Sequence, residues 1–172
     1  MICGERCSLR PYEAGDVADL GRLANDKLVT RWMTATFRYP YTLADAEAWI
    51  ARVTREDPPN AFVILVHGAF AGSVAIVPRD GEVLGTAEFG YWLGRQFWGR
   101  GIAGEAARLL ADYALTDRGL RRLEAYVWEP NGASARVLEK AGFVLEGRLR
   151  DGVVDREGLV SNLLIYGRLA TD

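Results

Sequence analysis

The sequence predicts one mixed α/β domain. Its 172 residues and 49% hydrophobic content fit a chain that can bury a full core without metal or disulfide staples. Short apolar runs bounded by turn residues alternate with segments whose apolar residues recur at helical spacing. No internal repeat, low-complexity tract or linker interrupts residues 1–172, so a single domain is expected.

Leu9 to Tyr12 reads as a first strand. Asp16 is placed to cap a helix that carries Val17, Leu20 and Ala24 on one side. Thr42 and Asp45 have the spacing of a capping box, and Leu43, Ala46, Trp49, Ile50 and Val53 form the apolar face behind it. Asp57-Pro58-Pro59-Asn60 ends that helix. Ala61 to Val66 and Gly72 to Val77 are strands, with the lone His67 at the turn between them. Arg79-Asp80-Gly81 is a turn. In Thr86 to Leu93 the pattern alternates, placing Glu88, Gly90 and Trp92 on one face and Phe89, Tyr91 and Leu93 on the other. A glycine-rich loop and a helix from Ile102 to Thr116 follow. Arg121 to Trp128 is a strand, and Ser134 to Ala141 a short helix stopped by Gly142 in a left-handed cap, with Phe143 packing back. Phe143 to Arg150 and Val160 to Leu169 are the last strands, joined around Asp155-Arg156-Glu157-Gly158.

Charge excludes some partners. The net charge is −2, so the footprint of a nucleic-acid-binding protein is absent. Between Arg95 and Arg150 ten basic residues meet seven acids, giving +3 against −5 for the remainder. That excess fits either a small anionic ligand or a solvated helix face. Cys3 and Cys7 lack a second pair to complete a metal site, so no metal is expected. The first ten residues have no apolar core of signal-peptide length, and reduced thiols in the cytoplasm are the simplest reading. The most apolar window, Ala61 to Val77, is broken by His67, Gly68, Gly72 and Ser73 and falls short of a membrane span.

The segment RQFWGRGIAGEAARLL, Arg95 to Leu110, carries the chemistry. Gly99, Gly101 and Gly104 remove side chains where a strand passes into a helix, and the first free amides of that helix point into the same space. Amides and the helix dipole together make a phosphate site. The spacing Gly99-x-Gly101-x-x-Gly104 also matches a dinucleotide fingerprint, with Glu124 beyond it, but Gly94 to Trp98 intervene between strand and glycines. A purely structural glycine turn is the third reading.

GYWLGRQFWGRGIAGEA resembles the acetyl-CoA-binding signature of the GNAT superfamily of N-acetyltransferases, and EPNGASARVLEKAGFVLEGRLRD resembles its next conserved segment. With Leu9-Arg10-Pro11, Tyr39-Pro40-Tyr41-Thr42 and Leu164-Ile165-Tyr166, the chain is similar to the RimJ/RimL-like branch that acetylates ribosomal-protein N-termini. The resemblance implies a single-domain α/β (α+β) fold, a mixed and mostly antiparallel central sheet flanked by helices. Two registers fit the family motif, Gln96-x-x-Gly99-x-Gly101 and Trp98-x-x-Gly101-x-Ala103; the second, with the helix directly after it, is preferred.

The resemblance further implies acetyl transfer from acetyl-CoA to a primary amine, either a protein N-terminus or a small molecule such as an aminoglycoside, polyamine or amino acid. A non-catalytic CoA-binding module is the rival from another class, and a homodimer stays open. Trp98, Gly99, Arg100, Gly101, Ile102, Ala103 and Gly104 would hold the phosphates, with Arg136 and Arg95 as further cations. Backbone groups of Trp92 and Leu93 would polarise the thioester carbonyl, and Asn131 would bond the pantetheine arm. Ser134 would return a proton to the sulfur or simply cap its helix. Glu88, on the face of Trp92, is a candidate base or a structural carboxylate paired with Arg. His67 reads as a solvated turn residue and Tyr166 as core. Asn162 stands roughly where many relatives carry Asp.

Overall fold

The computed structural model describes residues 1–172. Along the chain run β1 (Ile2–Cys3), β2 (Ser8–Pro11), α1 (Val17–Ala24), α2 (Lys27–Thr30), α3 (Leu43–Val53), β3 (Ala61–Val66), β4 (Ala69–Pro78), β5 (Thr86–Leu93), α4 (Ile102–Thr116), β6 (Arg122–Trp128), α5 (Gly132–Lys140), β7 (Val144–Val154) and β8 (Val160–Leu169). All eight strands form one sheet in the order β1-β2-β3-β4-β5-β6-β8-β7. Every neighbouring pair is antiparallel except β5 and β6, which α4 connects in a parallel crossover. The expected mixed, mostly antiparallel sheet with flanking helices is thus present.

Local chemistry explains most boundaries. Thr42 and Asp45 make both bonds of the capping box, at 2.9 and 3.1 Å, and α3 starts there. His67 and Gly68 turn β3 into β4 with φ of 49° and 80°, and His67 is exposed as expected. Gly142 has φ of 84° and Phe143 N–H returns to the Leu138 carbonyl, closing α5. Asp16 departs from the expectation. Its carboxylate accepts from Arg10 at 2.7 and 2.8 Å and from Glu13 N–H, so it does not cap α1 by side chain. β4 and β7 extend past the expected ends, β7 through irregular pairing between Leu149 and Val153.

Cores lie on both faces. Ile102, Ala106, Leu109 and Leu110 of α4 with Leu138 of α5 pack on Leu9, Ile64, Val74, Phe89 and Val127. Leu20 and Leu23 of α1 with Ala46, Ile50 and Val53 of α3 cover Val63, Leu65, Phe70 and Trp92 on the other. The alternation of β5 is realised: Phe89 and Leu93 enter the first core and Trp92 the second. No helix is long and apolar enough to cross a membrane.

Candidate active site

The site begins where two strands part. β5 and β6 pair at Thr86–Arg122, Ala87–Leu123 and Glu88–Glu124 and no further. Beyond Glu88, β5 stays with β4 and β6 with β8. A cavity of about 820 Å³ occupies the opening, lined by Phe89 to Leu93 on one side and Ala125 to Trp128 on the other. Strand parity decides which peptide groups face it. Arg79 N–H bonds the Thr86 carbonyl and Gly94 N–H the Ala71 carbonyl, so even-numbered residues of β5 direct their peptide groups to β4. Trp92 therefore pairs with Ser73, and its ring packs against Phe37 and Phe70 at 6.0 and 6.2 Å. The gap is faced by Tyr91 and Leu93. Of the two residues expected to offer backbone groups, Leu93 directs its peptide group to the gap and Trp92 directs its own to β4.

The glycine loop lines the same cavity from Trp98 to Gly104. Gly101 is the N-cap of α4 with φ of 75°, and Gly99 has φ of 73°, conformations that cost an L side chain strain. No side chain caps α4, so its first amides are left for a ligand. A Cβ on Gly99 would meet nothing within 4 Å, consistent with a cradle open on the ligand side. The helix starts directly after Gly101, so it follows Gln96-x-x-Gly99-x-Gly101 directly, whereas Ala103 of the preferred register already lies in its first turn. Trp98 lines the cavity, but its side chain is engaged within the protein. Its indole N–H is taken up at 2.7 Å by the Leu93 carbonyl, tying the loop to the end of β5.

Of the ten basic residues between Arg95 and Arg150, three line the cavity, Arg100, Arg136 and Lys140, and none of these has an ion-pair partner within 4 Å. Arg95 does not line it and reaches Asp26 at 3.5 Å instead. Lys140 was not foreseen; it lies one helical turn beyond Arg136 on α5.

Asn131 is the N-cap of α5, its side-chain oxygen accepting from Ser134 N–H at 3.3 Å. Ser134 is therefore inside the helix and not its cap. Its hydroxyl is instead 2.8 Å from the Tyr91 phenol, which burial pushes up to about 12, so the phenol keeps its proton at neutral pH. Sequence reasoning missed Tyr91, although the alternation had put it on the face of Phe89 and Leu93. Glu88 lines the cavity from the other face of β5 and lies 3.7 Å from Arg79. Arg79 binds Glu124 more closely, at 2.7 Å, and Arg122 and the Tyr126 hydroxyl complete the shell of that carboxylate. Glu124 is thus engaged on both oxygens by neighbouring side chains. Asn162 bridges Glu129 and the Asp151 amide, and Tyr166 is buried with its hydroxyl on Glu139.

Residues 6–144 match the family described as the acetyltransferase (GNAT) domain. The uncharacterized N-acetyltransferase p20 of Bacillus licheniformis is 37% identical over 153 residues, which cover 86% of this chain and 84% of that protein. Spermidine N(1)-acetyltransferase of Escherichia coli K12 is 30% identical over 150 residues, 87% of this chain and 78% of its own. Among solved structures, Mycobacterium smegmatis RimJ in complex with CoA-disulfide matches with a TM-score of 0.83 at 26% identity, over 96% of this chain and 82% of that one.

Proposed function

The chain belongs to the GNAT acetyltransferases and is an acetyl-CoA-dependent N-acetyltransferase; on that premise we propose that its acceptor is the N-terminal amine of a polypeptide. The observation that carries this is the lining of the cavity. Glu88 is its only carboxylate, facing Arg31, Arg100, Arg136 and Lys140 among walls that include Trp32, Trp92, Tyr126 and Trp128. A polyamine carries several cationic amines, and a site for it needs several carboxylates. One carboxylate suits one amine. The acids that make the rest of the chain negative lie elsewhere, so overall charge does not select the acceptor.

The acid–base demand agrees. An α-amine has a pKa near 8 and an alkyl amine of the lysine kind near 10.4, so the former needs only a modest base or a water relay. Glu88, half-exposed beside Arg79 and lining the cavity, is placed to take the amine proton directly or through water. Acetyl-CoA, when bound, supplies the thioester that carries the acetyl group. The residues present fit it: the open amides and glycines of the loop, the three free cations, and the Leu93 N–H in the strand gap. Preorganised donors of that kind stabilise developing oxyanion charge by about 2.7–4 kcal/mol each. Ser134, backed by the protonated Tyr91, holds a proton at the rim of the cavity for the leaving thiolate.

The test is a panel of acceptors with acetyl-CoA: peptides with free and with blocked N-termini, spermidine, an aminoglycoside and free amino acids. Thiol release and the mass of the product are read together. Free-terminus peptides should be acetylated at the α-amine with the highest kcat/KM. Spermidine outrunning every peptide would overturn the proposal in favour of the polyamine relative's chemistry.

A further inference from the structure

The turn between β1 and β2, Gly4 to Cys7, sits against the first turn of α4. The Glu105 carboxylate accepts from the backbone N–H groups of Glu5, Arg6 and Cys7 at 2.9, 2.7 and 2.9 Å. A Cβ on Gly4 would come within 2.8 Å of that carboxylate, so a side chain there would push the carboxylate off its present position. Burial alone would raise the Glu105 pKa, but these amides outweigh it and hold the carboxyl below the usual range.

Such a carboxylate is unexpected chemistry one residue past Gly104. A negative charge beside a phosphate cradle opposes the anion that the cradle would hold. Here its lone pairs are turned onto the three amides, and the turn that supplies them presents Arg6. The Arg6 side chain lies beside the loop, outside the residues that line the cavity: a Cβ on Gly101 would be 3.5 Å from its Nε and 3.6 Å from its Cδ. Its one carboxylate neighbour is Glu5 at 3.8 Å, with both side chains exposed, a pairing of little strength.

We infer that Arg6 is a further phosphate-binding residue, delivered from the N-terminal turn by Glu105 to the diphosphate of CoA. The inference rests on the reading of the glycine loop as the diphosphate cradle, and it adds a cation from outside the segment that carries the family motif. Glu105 is a positioning residue in this arrangement. Arg6 supplies the charge-assisted hydrogen bonds, which are stronger than those of neutral donors.

Arg6→Gln tests it, by calorimetric binding of CoA, dephospho-CoA and pantetheine to the full chain without acceptor. CoA and dephospho-CoA should each bind about tenfold more weakly, the equivalent of one charged contact. Pantetheine, which has no diphosphate, should bind as before, and Arg6→Lys should recover part of the loss. Arg6 is exposed, so the unfolding midpoint should not move. Unchanged CoA affinity in Arg6→Gln would reduce Arg6 to a surface cation and overturn the inference. A penalty for CoA but none for dephospho-CoA would place the contact at the 3′-phosphate and overturn the diphosphate assignment. Failure of the acceptor proposal leaves these affinities untouched, so the two are judged separately.

Discussion

Ser134 and Tyr91 form the most specific polar contact of the cavity, 2.8 Å apart and 43 positions apart in sequence. That separation is why the pair was not legible: Ser134 could be picked out from its segment, but a partner on another element leaves no spacing to read. The same holds for Arg6 beside Gly101. The glycine loop, by contrast, was legible because its conformation is written in composition, with Gly99 and Gly101 both at positive φ. Ser134→Ala should lower kcat by about a hundredfold with CoA affinity unchanged, the size of one lost acid–base group. Tyr91→Phe keeps the ring in place and removes only the hydroxyl; about tenfold in kcat is expected. Steady-state kinetics with CoA binding in parallel checks both. If kcat stayed the same in both variants, the pair would be a structural hydrogen bond.

At the scale of elements, β5, α4 and β8 were predictable to the residue because glycine, turn residues and alternation punctuate them. β1 and α2 were not, since two and four residues are too short to show a period. Tertiary contacts hold such pieces. The clearest case is Arg156, in the turn between β7 and β8. Its guanidinium donates to the carbonyls of Thr30 and Thr34, both at 2.9 Å, and to that of Phe37. It thereby fixes the stretch after α2 whose Trp32, Met33 and Thr34 line the cavity. Sequence reasoning saw only a turn there. Arg156→Ala should loosen that wall and raise the acceptor KM roughly tenfold, about one lost charged hydrogen bond. The residues proposed to hold CoA lie on other elements, so its affinity should stay the same. A variant with unaltered acceptor KM would show that the wall stands without the clamp.

At the scale of the molecule, carboxylates tie together parts of the chain that are distant in sequence. Glu105 holds the N-terminal turn to α4, Glu124 and Glu146 hold β4, β6 and β7 through Arg79 and Arg122, and Glu129 holds β7 and β8 through Arg148 and Asn162. All four carboxyls lie below their ordinary value of 4.5, Glu129 at about 2 through its bonds to Arg148 and Asn162. A depressed folded-state pKa means that the unfolded chain binds more protons as the pH falls below 4.5. Stability is therefore fully present above that value and is lost as the pH drops through the folded values. The charge count alone, −2 overall, could not indicate this, because it does not say which acids are bonded. Thermal unfolding followed by circular dichroism should give a midpoint that is flat from pH 8 to 5 and falls from about 4.5 toward 2. Glu105→Gln removes one of the titrating ties, so the variant starts lower at pH 7 and falls less steeply in acid. A midpoint that already declined between pH 8 and 6 would mean that these carboxylates do not govern acid stability. The ties end at the β1–β2 turn and at the β6–β8–β7 side of the sheet, the two places that flank the glycine loop and Ser134, so acid should weaken CoA binding before it unfolds the central strands.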